Sequence, residues 1–351
     1  LDVAEVSLLN NVLAAVNLEG NRFFYVNPLE ADGKYPFNHG TAGRAPWFGT
    51  ACCPSNMARL LPQVQGMTYA HDDKTLFLAM YAETSTSLEI AGTKLAVSQK
   101  TDYPNDGRVE VSLNPEKPAS FSLRLRIPTW TGKQFVPGKL YRFLDSATEK
   151  WKISVNGKDV NPKTELGFAV LDRQWKKGDK VVLELPMPTR LNKCDERVEE
   201  NVNRVSYTRG PFVLCAEEVD NGGATQRFFL DKKSAVEKAD LSKVKLPSGS
   251  FLRVVTQANV LTESDKPEKR NLSLIPYYAW NNRRAGSMSI WFPTTPKLAV
   301  FDPHKLPKES PFSLLKASHT SELDTVSAIG DGKEPRWSSG KKVPRWTSRP
   351  Q

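Results

Sequence analysis

The first residues of the chain place apolar side chains at helical spacing: Leu1, Val3, Val6, Leu9, Val12, Leu13 and Val16. This predicts an amphipathic helix over residues 1–17, ended by the turn at 17–21 that contains Gly20. The run Phe23, Phe24, Tyr25, Val26 then reads as a short buried strand. Residues 27–50 are rich in Pro, Gly and Asn and show no period, a length that in a compact domain marks either a functional or a flexible loop. Pro54 suits the first position of a new helix, for which Met57, Leu60, Leu61 and Val64 supply an apolar face, and Pro62 should kink or shorten it.

Beyond this point the period changes to two. Alternating stretches at 76–81, 88–90, 94–97, 109–113, 121–127, 152–155 and 180–185 are separated by turn signals such as Asn156-Gly157 and Lys177-Gly178-Asp179. That is the pattern of a β-sandwich, placed at 67–190. A second β-rich region follows at 191–300 and gives way to a proline-rich linker. The expected fold is therefore mainly β, preceded by a few helices.

With 351 residues the chain has room for two or three domains at roughly 100–200 residues each. No apolar run approaches the ~20 residues of a membrane-spanning helix, so no membrane span is expected. The 49 Lys and Arg against 39 Asp and Glu give a net charge of +10, but the basic pairs are scattered and interleaved with acids. This describes a solvated basic surface and excludes nucleic acid as the expected partner. No phosphate-binding glycine loop, nucleophile elbow or His-Glu-x-x-His motif occurs. The helical pattern begins at Leu1 with no residue ahead to cap it, which points to a chain that starts within a larger protein and leaves any signal peptide out of view.

The sharpest chemical feature is the adjacent pair Cys52-Cys53, directly before Pro54. Thiols at a helix N-terminus face the partial positive charge of free backbone N–H groups, which lowers their pKa; a thiolate is both a nucleophile and a soft zinc ligand. Two inert thiols at a helix start are the alternative. Two thiolates supply half of a four-ligand zinc shell, so the other donors would have to precede Leu1. Cys194 and Cys215 read as core thiols or one disulfide, and His39, His71, His304 and His319 show no ligand spacing. Tyr25 opens the long loop, and Trp47 beside Phe48 is either a platform for a sugar ring or a plug above the thiols.

Several ordered blocks, Phe24-Tyr25-Val26-Asn27-Pro28-Leu29-Glu30, Trp47-Phe48-Gly49, Ala51-Cys52-Cys53-Pro54-Ser55-Asn56, Leu125-Arg126-Ile127-Pro128-Thr129-Trp130, Arg209-Gly210-Pro211 and Ile275-Pro276-Tyr277-Tyr278-Ala279-Trp280, resemble glycoside hydrolase family 127, the β-L-arabinofuranosidases. The resemblance implies the end of an α/α-barrel catalytic domain at 1–66, followed by β-sandwich domains at 67–190 and 191–300. It also implies a retaining hydrolase with Cys52 as nucleophile, zinc bound by Cys52 and Cys53, and Tyr25 lining the sugar site. Trp47 is the further candidate for substrate contact. Thr50 stands where some relatives carry another cysteine. The general acid and the remaining zinc ligands have no match in the chain, so this segment alone is expected to be inactive and to need the preceding polypeptide as partner. The tail at 301–351 resembles the start of a discoidin-type carbohydrate-binding module, which favours an extracytoplasmic enzyme acting on oligo- or polysaccharide. Two other readings remain open: a non-catalytic carbohydrate-binding protein, and the same fold acting on a different glycoside.

Overall fold

The computed structural model describes residues 1–145, 149–230, 239–263 and 267–301, of which strands form the largest part. The candidate carbohydrate-binding tail therefore lies outside the described residues, apart from Phe301. Among the described residues no helix is long and apolar enough to cross a membrane.

The first helix is present but not as its apolar period suggests. An α-helical turn, Asp2–Val6, passes into a π-helical stretch, Ser7–Val12. Widening each turn by a residue rotates the inward face. Glu5, Asn10 and Ala14 become the buried positions, while Leu1 and Val3 stay more than half exposed. Residues 23–26 do not form a strand either; Phe23 makes only isolated bridges, to Val16 and to Ala45. The long loop that follows is ordered, and its Glu30–Asp32 pairs antiparallel with Ser287–Ser289. The second helix spans Cys52–Leu60, so Pro54 is its third residue rather than its first, and the chain continues past Pro62 as a 3₁₀ helix, Leu61–Met67.

The period-two stretches form two facing sheets. One has six antiparallel strands in the order Lys158–Val160, Lys152–Val155, Asp179–Glu184, Arg108–Pro115, Thr93–Thr101, Thr84–Ile90. The other has five, Thr164–Glu165, Phe168–Trp175, Ala119–Arg126, Thr75–Leu78 and Tyr69–His71, with one parallel pair, Thr75–Leu78 against Ala119–Arg126. Strict alternation buries Leu95, Val97, Val109, Val111 and Leu113 against Leu123, Leu125, Ala169 and Trp175 in one shared core.

The C-terminal region is a branched sheet of eleven strands that also recruits Tyr141–Phe143 and Glu30–Asp32 from earlier in the chain. Successive side chains leave opposite faces of a strand, and both faces are covered here. Leu214 and Ala216 join one core with Val254 and Leu274, whereas Cys215 and Ile275 join the other with Ala14, Phe24, Ala31 and Trp280. The second face is thus the floor on which the N-terminal segment lies. Cys194 and Cys215 are free and buried, which decides for core thiols against a disulfide.

Candidate active site

The N-terminal segment is fastened to that floor, and to itself, by hydrogen bonds of buried side chains. Buried Arg44 donates to the carbonyls of Ala14 (2.8 Å) and Trp280 (2.7 Å), with its guanidinium 4.3 Å from the centre of the Phe24 ring. Tyr277 donates to Pro28 O (2.7 Å), and Gln226 Nε2 to Ala31 O (2.8 Å). Asn38, fully buried, accepts from Tyr25 N (2.7 Å) and donates to Gly43 O (2.9 Å). These bonds fix the backbone on either side of Tyr25 and leave its ring facing the second helix.

Cys52 opens that helix and is exposed; Cys53 follows, half-buried. The Cys52 carbonyl accepts from Ser55 Oγ (3.1 Å) and Asn56 Nδ2 (2.8 Å), which holds the first turn together. The two sulfurs are 3.8 Å apart, and Tyr25 Oη is 3.2 Å from Cys52 Sγ. The structure therefore brings together three of the four site residues expected from sequence. Trp47 stands apart: it is 60% exposed and meets Phe23 edge-on at 6.3 Å, so it is an open surface and not a plug over the sulfurs.

The two thiols differ electrostatically. The Tyr25 hydroxyl donates best to a sulfur that carries charge, and this bond, then the one from Cys53, holds the Cys52 thiol below its ordinary value. Burial, followed by the hydrogen bond to Cys52, pushes Cys53 up. Tyr25 is raised in turn, first by its bond to Cys52, because a phenolate would face a thiolate. Of the pair, Cys52 ionises first and is the one open to solvent.

A tetrahedral zinc with Zn–S bonds near ~2.3 Å separates two sulfurs by about 3.8 Å, the spacing seen between Cys52 and Cys53. The pair fits one edge of such a site. Among the described residues no third His, Cys, Asp or Glu joins it.

Sequence reasoning missed His39 and Phe48. The His39 ring lies 4.3 Å from Tyr25 and 5.7 Å from Phe48, which itself lies 5.3 Å from Tyr25, so three rings support one another beside Cys52. The available signal was Asn38-His39-Gly40, a turn tripeptide inside the long loop; nothing local says which ring it would cover.

Comparison with known proteins gives one consistent result along the chain. Family models for the β-L-arabinofuranosidase GH127 catalytic domain, the GH127 middle domain and the glycoside hydrolase family 127 C-terminal domain match residues 1–66, 75–187 and 189–293. A non-reducing end β-L-arabinofuranosidase of Bifidobacterium longum is 30% identical over 315 residues, which is 83% of this chain and 44% of that protein. A solved GH127 β-arabinofuranosidase is 32% identical with a TM-score of 0.78 over 85% of this chain and 46% of its own. The GH127 β-L-arabinofuranosidase of Geobacillus stearothermophilus T6 is 32% identical with a TM-score of 0.71, over 83% and 46%. The chain thus spans less than half the length of these relatives, all of them glycoside hydrolases by name. Three successive domain matches in the family's own order, over a fold that superimposes on its solved members, place the chain in glycoside hydrolase family 127.

Proposed function

We propose that this chain carries the nucleophile of a retaining glycoside hydrolase that releases L-arabinofuranose from plant glycans or arabinosylated glycoproteins outside the cytoplasm. The observation that carries the reading is the Cys52 thiol: exposed, in the first turn of a helix, and hydrogen-bonded by Tyr25 at 3.2 Å. The names of the relatives support the choice of sugar.

Cys52 Sγ attacks the anomeric carbon, forming a C–S bond as the glycosidic C–O bond breaks. The departing oxygen takes its proton from a carboxylic acid supplied by polypeptide outside this chain. Water then attacks the same carbon, giving its proton to the carboxylate left by the first step, the C–S bond breaks, and the sulfur leaves as thiolate; two inversions retain the configuration. Through both steps Tyr25 Oη donates to the sulfur whenever it is charged, which makes it a better leaving group in the second. Cys52 and Cys53 would hold a zinc ion, which when bound supplies the positive charge that keeps the thiol ionised at neutral pH. The exposed Trp47 indole offers a face for a sugar ring beyond the cleaved bond.

The test uses the full polypeptide and an aryl β-L-arabinofuranoside. Replacing the nucleophile, Cys52→Ala, should lower turnover by at least about 10⁴-fold with the fold intact by circular dichroism. Metal analysis should find about one zinc per chain, lost in Cys53→Ser, as a two-thiolate contribution to a four-ligand site requires. Activity retained by Cys52→Ala overturns the reading. A protein that binds arabinan without hydrolysing it and holds no zinc is the carbohydrate-binding alternative.

A further inference from the structure

The ring contacts around Tyr25 raise a question that the two cysteines leave open: what keeps the phenol in place. Its hydroxyl sits at the far end of a side chain with two free torsions, yet it must reach one sulfur atom. We propose that His39 is a positioning residue, whose ring, packed against Tyr25, holds the phenol so that its hydroxyl meets Cys52. The proposal rests on Cys52 being the nucleophile of the preceding section.

Three observations support it. First, the contact is close and lateral: the His39 and Tyr25 ring centres are 4.3 Å apart at an interplanar angle of 64°, and Phe48 meets both rings, Tyr25 at 5.3 Å and 74° and His39 at 5.7 Å, so that His39 and Phe48 together brace the phenol. Edge-to-face packing of this kind restricts rotation of the ring it contacts. Second, His39 is itself rigidly mounted. Two residues before it, Phe37 stacks on Trp280 (6.1 Å, 24°). Directly before it, buried Asn38 binds the backbone of the very segment that carries Tyr25, accepting from Tyr25 N and donating to Phe23 O (3.2 Å). One buried amide thus ties the base of Tyr25 to the base of His39, so the two rings keep a fixed relation. Third, His39 has φ 51, the left-handed region that side chains other than glycine seldom adopt. Such strain persists where the surroundings over-determine it, and it collects at functional sites. Gly40 follows immediately, yet the strained position holds an imidazole that covers Tyr25.

His39 is exposed, so its ring is not a filler of the core. Its loss should release the phenol without unfolding the protein.

The test separates the ring from the backbone. His39→Asn keeps a residue that tolerates left-handed φ and removes the ring; His39→Phe returns a ring. With metal removed by chelator, Cys52 is labelled with iodoacetamide at fixed pH and followed by peptide mapping, with melting temperature measured in parallel. His39→Asn should slow Cys52 labelling about three- to tenfold, His39→Phe should come within about twofold of the parent, and the effect of His39→Asn should vanish in a Tyr25→Phe background. Should His39→Asn not fold, His39→Gly carries the same comparison. In the full polypeptide, His39→Asn should lower kcat about tenfold and leave KM within about twofold, since the lost interaction is to the attacking sulfur rather than to the sugar. Unchanged labelling, or an effect that persists undiminished without the Tyr25 hydroxyl, overturns the role of His39. A polypeptide with no arabinofuranosidase activity removes the reading of Cys52 as nucleophile, while the labelling series still decides whether His39 orders the Tyr25–Cys52 pair.

Discussion

Cys52 and Cys53 are neighbours in sequence and unlike in chemistry, and the difference comes from a hydroxyl at one and burial at the other. Tyr25 donates to Cys52, favouring its charged form, while Cys53 is half withdrawn from water, which disfavours charge. Removing the hydroxyl in Tyr25→Phe takes away the largest cause of the lowered Cys52 value. The pH at which Cys52 becomes half-ionised should then rise toward the ordinary thiol value of about 8.5, and labelling at pH 7 should slow. Labelling rate against pH in chelator-treated protein checks this; a midpoint that does not move, or Cys53 labelling faster than Cys52 in the parent, contradicts the assignment. The cysteine pair and its place at a helix start were legible in the residues, because a vicinal thiol pair before Pro is rare and the apolar period behind it is clear. The partnership with Tyr25 was not legible from the residues themselves: the two are 27 positions apart, and only the folded loop closes them to 3.2 Å. His39 was out of reach for the same reason, since a loop histidine looks the same whether or not it covers a ring.

At the scale of elements, the strands are legible in the sequence and the first helix only by its existence. A strand such as Thr93–Thr101 alternates buried and exposed along its length, and that alternation is written directly in its residue types. The first helix hides its inner face because that face is polar. Asn10 donates to Val6 O and Pro211 O and accepts from Val213 N, which joins the helix to the C-terminal sheet. Glu5 is buried against Arg126, Tyr103 (2.6 Å) and Trp130 (3.3 Å), and Arg126 also binds Asp2 (3.1 Å) and Ala79 O (2.6 Å). A buried carboxylate with three donors costs little where it is, but each partner depends on the others. Arg126→Met, which strands Glu5 without its cation, should therefore destabilise by about 3–5 kcal/mol. Glu5→Leu combined with Arg126→Met should cost clearly less than the sum of the two single changes. Urea denaturation of the four proteins in the cycle measures this; additive losses would mean that the helix is held by something other than this pair.

For the molecule as a whole, the site is a loop held down from a distance. Residues 14–45 have no sheet of their own; they lie on the C-terminal sheet, whose upper face is shaped to receive them. Gly33 shows how close this approach is: with φ 83, a Cβ there would sit 2.7 Å from the Gly286 backbone. Arg44 is the central fastening, because one guanidinium satisfies carbonyls on both the N-terminal segment and the sheet. Burial lowers its pKa to about 10, so it is still charged at neutral pH, and the unfolded chain holds the proton more tightly than the folded one. The stability cost of burying that charge is present in full at all pH values below about 10 and eases only above it. The stability difference between the parent and Arg44→Met should therefore be flat from about pH 6 to 9, where neither state of the arginine titrates. Its size should be about 3 kcal/mol or more, since charge-assisted bonds are lost and buried carbonyls are left without donors. Arg44→Lys should recover less than half of it, because a single ammonium on a flexible stem lacks the planar fork that reaches Ala14 and Trp280 together. Denaturation midpoints across that pH range provide the check, and a lysine variant as stable as the parent would show that charge alone, without the fork, fastens the loop.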